Sequence, residues 1–333
     1  DLHLSLRRQR QMCIRDRNNK ACEKCGYFVG GLKVDFELLI VILIDGLVYS
    51  SYLFLVAVGL TVIFGVQKVL NVTHGAFYAF GAYLAAFLIG LAANGGWPDS
   101  GGFLIILVSA IFLGIVLGII IERGLLKFLY DRDEHIVVLA TFAAFLVLED
   151  AILLIWGTDP YLAFQPLALL GNSEIAGLIF DNYALTMIAL SFVIAFVLWY
   201  GLNRTQFGRV LLAVIFDREV SMAMGINVTK VFLITFIIGT FLGALGGAYH
   251  APIISVQPGI GVEVIVLAFA VVVIGGMGSI PGALIGAIVV GISRAAAVHM
   301  LPEVELFVIY SIMARVLVFR PEGLFAPIKA RKI

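Results

Sequence analysis

Apolar residues in this chain come in long runs rather than in alternation with polar ones. Nine such runs, at about 36–66, 75–92, 103–121, 136–156, 184–202, 231–250, 263–277, 283–298 and 304–319, are separated by short polar connections. A helix of roughly 20 apolar residues crosses the ~30 Å hydrocarbon layer of a bilayer. It also satisfies its own backbone hydrogen bonds where no water can do so. The pattern therefore predicts an all-α polytopic membrane helical bundle with eight or nine transmembrane segments. The first run is too long for one straight span and is interrupted at Asp45-Gly46, which predicts a short surface or re-entrant turn ahead of the true crossing. The pair of runs near 263–298 is broken by Ile274-Gly-Gly-Met-Gly-Ser-Ile-Pro-Gly-Ala283. Each Gly costs a helix interior about 1 kcal/mol and a Pro about 3, so this stretch reads as a break between two half-spans. Broken backbone at membrane depth is tolerated where it lines a cavity or is buried in protein, which points towards a transport path.

Composition agrees with a chain whose solvent is lipid. Of the 333 residues, 62% are hydrophobic and 13% charged, against ~45–50% and ~25% in an ordinary soluble domain. This excludes a soluble enzyme or a disordered protein, and no Lys/Arg-rich surface points to nucleic acid. The formal net charge is zero, yet residues 1–35 hold eight Lys/Arg against four Asp/Glu, together with Cys13, Cys22 and Cys25. The chain thus has three regions: a basic polar arm at 1–35, a membrane domain at 36–325 and a basic tail at 326–333. The arm has no apolar core or cleavage site of a signal peptide, and Leu6 to Arg17 resembles translated sequencing-adaptor DNA. It is expected to be disordered or non-native, and Cys22-x-x-Cys25 is half of a metal motif without its second half.

Charge in the connections predicts orientation, because cytoplasmic loops are enriched in Lys and Arg. Loops 93–102, 157–183, 251–262 and 299–303 have none, whereas Lys68, the 122–135 connection, the 203–230 connection and the tail from Arg320 onward carry them. Nine crossings place the basic loops and the C-terminus inside and the Ala251 to Val262 connection outside; the arm is then also outside, against its charge. Small residues at helical spacing, Gly114-x-x-x-Gly118, Gly239-x-x-x-Gly243 with Gly246-Gly247, and Gly282-x-x-x-Gly286, predict close helix packing. Asp45, Glu149, Asp150, Glu263, Arg294 and Arg315 are among the few ionisable groups of the spans, most of them near span ends. They form no midplane carboxylate cluster for ion coupling; Glu149-Asp150 is the one adjacent pair. No metal cluster, catalytic triad or Gly-x4-Gly-Lys phosphate loop occurs in the sequence, so the expectation is a non-enzyme that binds no cofactor of its own.

The longest basic connection, Asn203 to Val228, can form a short amphipathic helix between Gly208 and Gly225, with Arg209, Ala213, Asp217, Arg218 and Glu219 at its polar or small positions. It reads either as a solvated interfacial helix or as a knob that docks on a separate motor subunit. His74, at a loop-to-helix boundary beside Gly75, reads as a hydrogen-bonded structural residue, with Asn71 or Thr73 available to cap the helix.

Gly59-Leu-Thr-Val-Ile-Phe-Gly65, Asn71-Val-Thr-His-Gly75, Arg204-Thr-Gln-Phe-Gly-Arg209, Asp217-Arg-Glu219 with Met224-Gly-Ile-Asn227, and Ala268 to Gly282 together resemble the permease subunits of branched-chain amino acid ABC importers, most closely the shorter permease of the high-affinity system. The likeness covers about 38–325. It implies a bacterial inner-membrane permease with a cytoplasmic C-terminus, which moves branched-chain or other small amino acids by alternating access. It also implies a second homologous permease, two cytoplasmic ATPase subunits that use the ATP, and a periplasmic substrate-binding protein. Carried over residue by residue, Arg209, Ala213, Asp217, Arg218, Glu219 and Gly225 would contact the ATPase. Asn71, His74 and Gly75, with Gly275, Gly276, Gly278, Ser279, Pro281 and Gly282, would shape the helix interfaces beside the path. Thr73 and Ile215-Phe216 depart mildly from the family pattern. An amide, urea or sugar permease of the same superfamily, an ion-coupled carrier and a non-transporting scaffold are the alternatives.

Overall fold

The computed structural model describes residues 36–130, 132–175, 177–320 and 322–325. The arm at 1–35 and the tail at 326–333 lie outside the described residues. The helical bundle belongs to the compact unit that begins at Leu39.

The helices, in chain order, are α1 (Phe36–Gln67), α2 (His74–Asn94), α3 (Gly101–Gly124), α4 (Glu134–Trp156), α5 (Gln165–Leu170), α6 (Asn182–Arg204), α7 (Gln206–Phe216), α8 (Arg218–Ala223), α9 (Val228–His250), α10 (Ile260–Gly275), α11 (Ile280–Met300) and α12 (Glu305–Phe319). A two-stranded antiparallel hairpin, β1 (Asn172–Ile175) and β2 (Leu178–Asp181), precedes α6. Among the described residues, seven helices are long and apolar enough to cross a membrane: α1, α2, α3 with its extension to Phe128, α4, α6, α9 and α11. The runs predicted at 263–277 and 304–319 form the shorter α10 and α12, of 16 and 15 residues. All nine predicted apolar runs are therefore helical.

The expected turn at Asp45-Gly46 does not occur: α1 is one continuous helix of 32 residues, about 48 Å long at ~1.5 Å per residue. Gly46 is there for a crossing. A Cβ on it would stand 2.8 Å from the Cα of Ile292 in α11, so the glycine lets two helices touch where a larger residue would part them.

The centre of the bundle is α9, which packs chiefly on α3 and α2. On one side Gly114 and Gly118 of α3 lie against the backbone of Phe241 and Ile237. On the other, Gly81 meets the Ala244 backbone, and Gly247 meets the carbonyl of Tyr78. The small-residue spacings thus mark helix contacts. By contrast α4 and α6 are apolar but largely exposed, as surfaces facing lipid or another membrane subunit must be.

The break between α10 and α11 is a tight connection at 276–279. Gly276 and Gly278 take φ of 106° and 86°, Ser279 Oγ accepts from the Gly282 amide at 3.2 Å, and Pro281 stands in the first turn of α11, where its missing N–H costs nothing. Gly275 faces Gly282, and Gly286 faces the Val271 carbonyl, so the two helices fold back on each other along a glycine seam.

Candidate functional site

The two ends of the bundle differ. At one end the connections without Lys or Arg converge. The segment after α4 joins the α9–α10 connection through a reciprocal backbone pair, Tyr161 N to Val256 O at 2.9 Å and Val256 N to Tyr161 O at 3.0 Å. Beneath them lies a cavity of about 1000 Å³. Its walls come from α1, Tyr78 of α2, the β hairpin with the start of α6, His250 at the end of α9, the 253–259 connection, the first turn of α10, and the last turns of α11.

The polar groups of this cavity sit on helices whose other faces are apolar. Tyr52 is buried and stacks on His250 with ring centroids 4.1 Å apart, and the Tyr78 hydroxyl is hydrogen-bonded to His250 Nδ1 at 2.7 Å. Arg294 lies over the Tyr49 ring, 3.8 Å from its centroid, and pairs with Glu305 of α12. Asp45 of α1 is bonded to His299 Nε2 of α11 at 2.8 Å. Glu263, in the first turn of α10, is exposed in the same wall. Between these groups run branched aliphatic side chains, among them Ile44, Val48, Ile253, Ile254 and Val298.

Glu149, expected as half of an adjacent acidic pair in α4, does not open into the cavity. Its Oε1 is buried in the space that a Cβ on Gly261 would fill, and its carboxylate accepts from the Gly259 backbone amide. It faces the N-terminus of α10, where backbone N–H groups have no helical partner. Asp150 beside it is exposed.

At the opposite end the basic connections meet. Gln67 Nε2 donates to the Phe232 carbonyl at 3.1 Å, and Thr141 bridges α4 to the α1–α2 turn through Leu70 O and Val72 N. Lys68 ends α1 at φ 56°, and partial desolvation of its otherwise exposed side chain lowers the ammonium pKa. Leu324 N and Phe325 N donate to the carbonyls of Ile274 and Gly275 at 2.9 and 3.0 Å, which folds the chain after α12 onto the 276–279 turn.

The single amphipathic helix expected between Gly208 and Gly225 is two. Asp217 ends α7 in an extended conformation and its Oδ1 accepts from Val220 N at 2.9 Å, capping α8. Thr205 caps α7 through Gly208 N, and Asn227 caps α9 through Lys230 N. Gly225 takes φ 82° at the exit from α8. Leu211 and Val214 of α7 turn inward to a small cluster with Val66, Val228, Val231 and Phe232. Arg209, Ala213, Asp217, Arg218, Glu219 and Gly225 are all exposed. Around them stand Phe216, Val220, Met222 and Met224, also exposed, Met224 by 77%. Arg218 reaches back over the Phe232 ring, 5.5 Å from its centroid, and that ring packs edge-on against Tyr130.

None of the nine residues expected beside a path lines the cavity. Asn71 and His74 are buried. Neither Asn71 nor Thr73 caps α2: Asn71 Oδ1 instead takes the Thr73 amide and hydroxyl, closing the turn. His74 Nε2 reaches the Val56 carbonyl at 2.9 Å, and its ring fills the space left by Gly59 and Gly243. Gly75 abuts the Gly261 carbonyl, so α2 and α10 cross there. Gly275, Gly276, Gly278, Ser279, Pro281 and Gly282 form the α10–α11 turn at the basic end. The cavity groups Tyr49, Tyr52, Tyr78 and His250 escape a reading of the sequence; a polar ring in an apolar run is the one local signal they carry.

The family described as "Branched-chain amino acid transport system / permease component" matches residues 42–317. The high-affinity branched-chain amino acid transport system permease protein BraD of Pseudomonas aeruginosa is 28% identical over 304 residues, 87% of this chain and 97% of that protein. The corresponding protein LivH of Escherichia coli is 27% identical over 301 residues, 87% and 96% of the two chains. A solved structure, PsaBC from Streptococcus pneumoniae in complex with Fab, superposes with a TM-score of 0.44 at 12% identity, covering 84% of this chain and 92% of that one. With most of its described length matched, from within α1 to within α12, this chain belongs to the family of branched-chain amino acid transport system permease components.

Proposed function

We propose that this chain spans a bacterial inner membrane as one permease of an ABC importer and moves branched-chain or other small amino acids inward by alternating access. A second, homologous permease completes the pathway, a periplasmic binding protein delivers the substrate, and two cytoplasmic ATPase subunits bind and hydrolyse the ATP. Residues 36–325 are the permease domain and 326–333 a basic cytoplasmic tail.

The observation that carries this reading is the opposition of the two ends. One holds a cavity roofed by connections without Lys or Arg, and the other presents exposed apolar side chains on α7 and α8 among arginines. Under the bias of Lys and Arg to the cytoplasmic side, the cavity opens to the periplasm and α8 faces the cytoplasm. Phe216, Val220, Met222 and Met224 are an apolar patch in a connection that otherwise meets water, and such patches mark protein contacts. The rigid caps at Thr205, Asp217 and Asn227 let a push on α8 reach α9, the helix at the centre of the bundle. The Asn71 to Gly75 turn and the Gly275 to Gly282 turn act at the helix seams that must slide when the cavity changes sides.

The test is a double substitution in the patch, Val220→Asp with Met224→Asp, at two exposed positions. The permease should still insert and remain folded, while ATPase subunits no longer co-purify with it and ATP-driven uptake is lost. Undiminished co-purification and uptake would refute the docking assignment.

A further inference from the structure

The charges around the cavity do not balance. Asp45 is bonded to His299, and Arg294 is paired with Glu305 and stacked on Tyr49. Asp181 lies beside the Asn172 side-chain amide on the hairpin. Glu263 has neither a hydrogen bond nor an ion pair with any described residue, although it stands in a wall shared with Arg294. A carboxylate in the first turn of a helix serves its own helix through the dipole, but such a gain needs no cavity. Here the carboxylate opens onto about 1000 Å³ of space flanked by aliphatic side chains. Glu263 is thus a carboxylate exposed to the cavity and without a partner among the described residues, placed to take a positive group there.

We infer that Glu263 is the ammonium-binding carboxylate of the cavity: it takes the α-ammonium group of an amino acid, while Ile44, Val48, Ile253 and Ile254 receive its aliphatic side chain. Arg294 commits one edge to Glu305 and its face to Tyr49, and the remaining N–H donors of its fork lie in the same wall for the α-carboxylate. The arrangement selects a zwitterion with an apolar side chain over a neutral sugar, amide or urea, which would leave Glu263 unpaired. This inference rests on the proposed function, since it names the chemistry by which the permease itself holds the substrate handed to it.

The experiment uses the complete transporter in proteoliposomes, with ATP inside and saturating leucine-loaded binding protein outside. Leucine uptake and ATP hydrolysis are measured in the same vesicles for wild type, Glu263→Gln and Glu263→Asp. Loss of a charge-assisted hydrogen bond to the ammonium group should cut uptake by Glu263→Gln about tenfold or more. Stimulation of ATP hydrolysis by the loaded binding protein should stay within about twofold of wild type, which shows that the complex is assembled and driven. Glu263→Asp, which keeps the charge on a shorter arm, should recover much of the uptake. Wild-type uptake by Glu263→Gln, or equal losses of uptake and of stimulated hydrolysis in both variants, would overturn the ammonium subsite and leave the proposed function standing. A wild-type complex that carries no leucine would overturn the proposed function and the subsite with it.

Discussion

Gly81, His74 and Lys68 show how single residues set the bundle. Gly81 has no room for a methyl group, because a Cβ would run into the Ala244 backbone of α9. Gly81→Ala must push α2 from α9 and should destabilise the protein by about 1–3 kcal/mol, seen as a lower thermal midpoint in detergent. Lys68 works in the opposite direction. It ends α1 in the left-handed region, at φ 56°, which costs a side-chain-bearing residue about 1–2 kcal/mol. Lys68→Gly should therefore raise the same midpoint if the α1–α2 turn keeps its present shape; an unchanged or lower midpoint would show that Lys68 contributes something that offsets the strain. His74 is legible in the sequence as a structural residue, and its bond to the Val56 carbonyl has that character. Its neighbours Gly59 and Gly243 are not legible as partners, because nothing local ties residues so far apart.

At the scale of elements, the apolar runs mark the helices because lipid demands unbroken hydrophobic length. The Gly/Pro stretch marks the α10–α11 turn because no helix tolerates it. The local pattern misleads at Asp45-Gly46, where a pair that ends helices in water lies inside α1 and serves a crossing with Ile292 of α11. The division of α7 from α8 is also missed, although Asp217 is a strong cap residue and its side chain does cap α8. Glu149 is a cross-helix counterpart of such a cap. A carboxylate held against the N-terminus of α10 interacts favourably with the exposed N–H groups there. Glu149→Ala would leave those groups unmet and should cost about 1–3 kcal/mol. Glu149→Gln, which keeps an acceptor oxygen, should cost less and should leave uptake independent of any imposed ion gradient. Uptake that depends on a sodium or proton gradient in wild type and loses that dependence in Glu149→Gln would mark an ion-coupling site instead.

For the whole molecule, the division of charge between connections is visible in the sequence, and the structure brings the basic connections together at one end of the bundle, where the 276–279 turn, without Lys or Arg, also lies. The cavity is not visible there, because its polar wall is assembled from α1, α2, α9, α10 and α11, and no one segment carries its pattern. On the proposed function, this chain is a passive pathway powered by a separate motor at the end opposite the cavity. The most direct test is uptake of labelled leucine into proteoliposomes that contain either this chain alone or the complete set of permeases, ATPases and binding protein. Uptake is expected only in the complete set, only with ATP inside, and none by this chain alone under any ion gradient. Gradient-driven uptake by this chain alone, or uptake by the complete set without ATP, would contradict a motor-driven pathway.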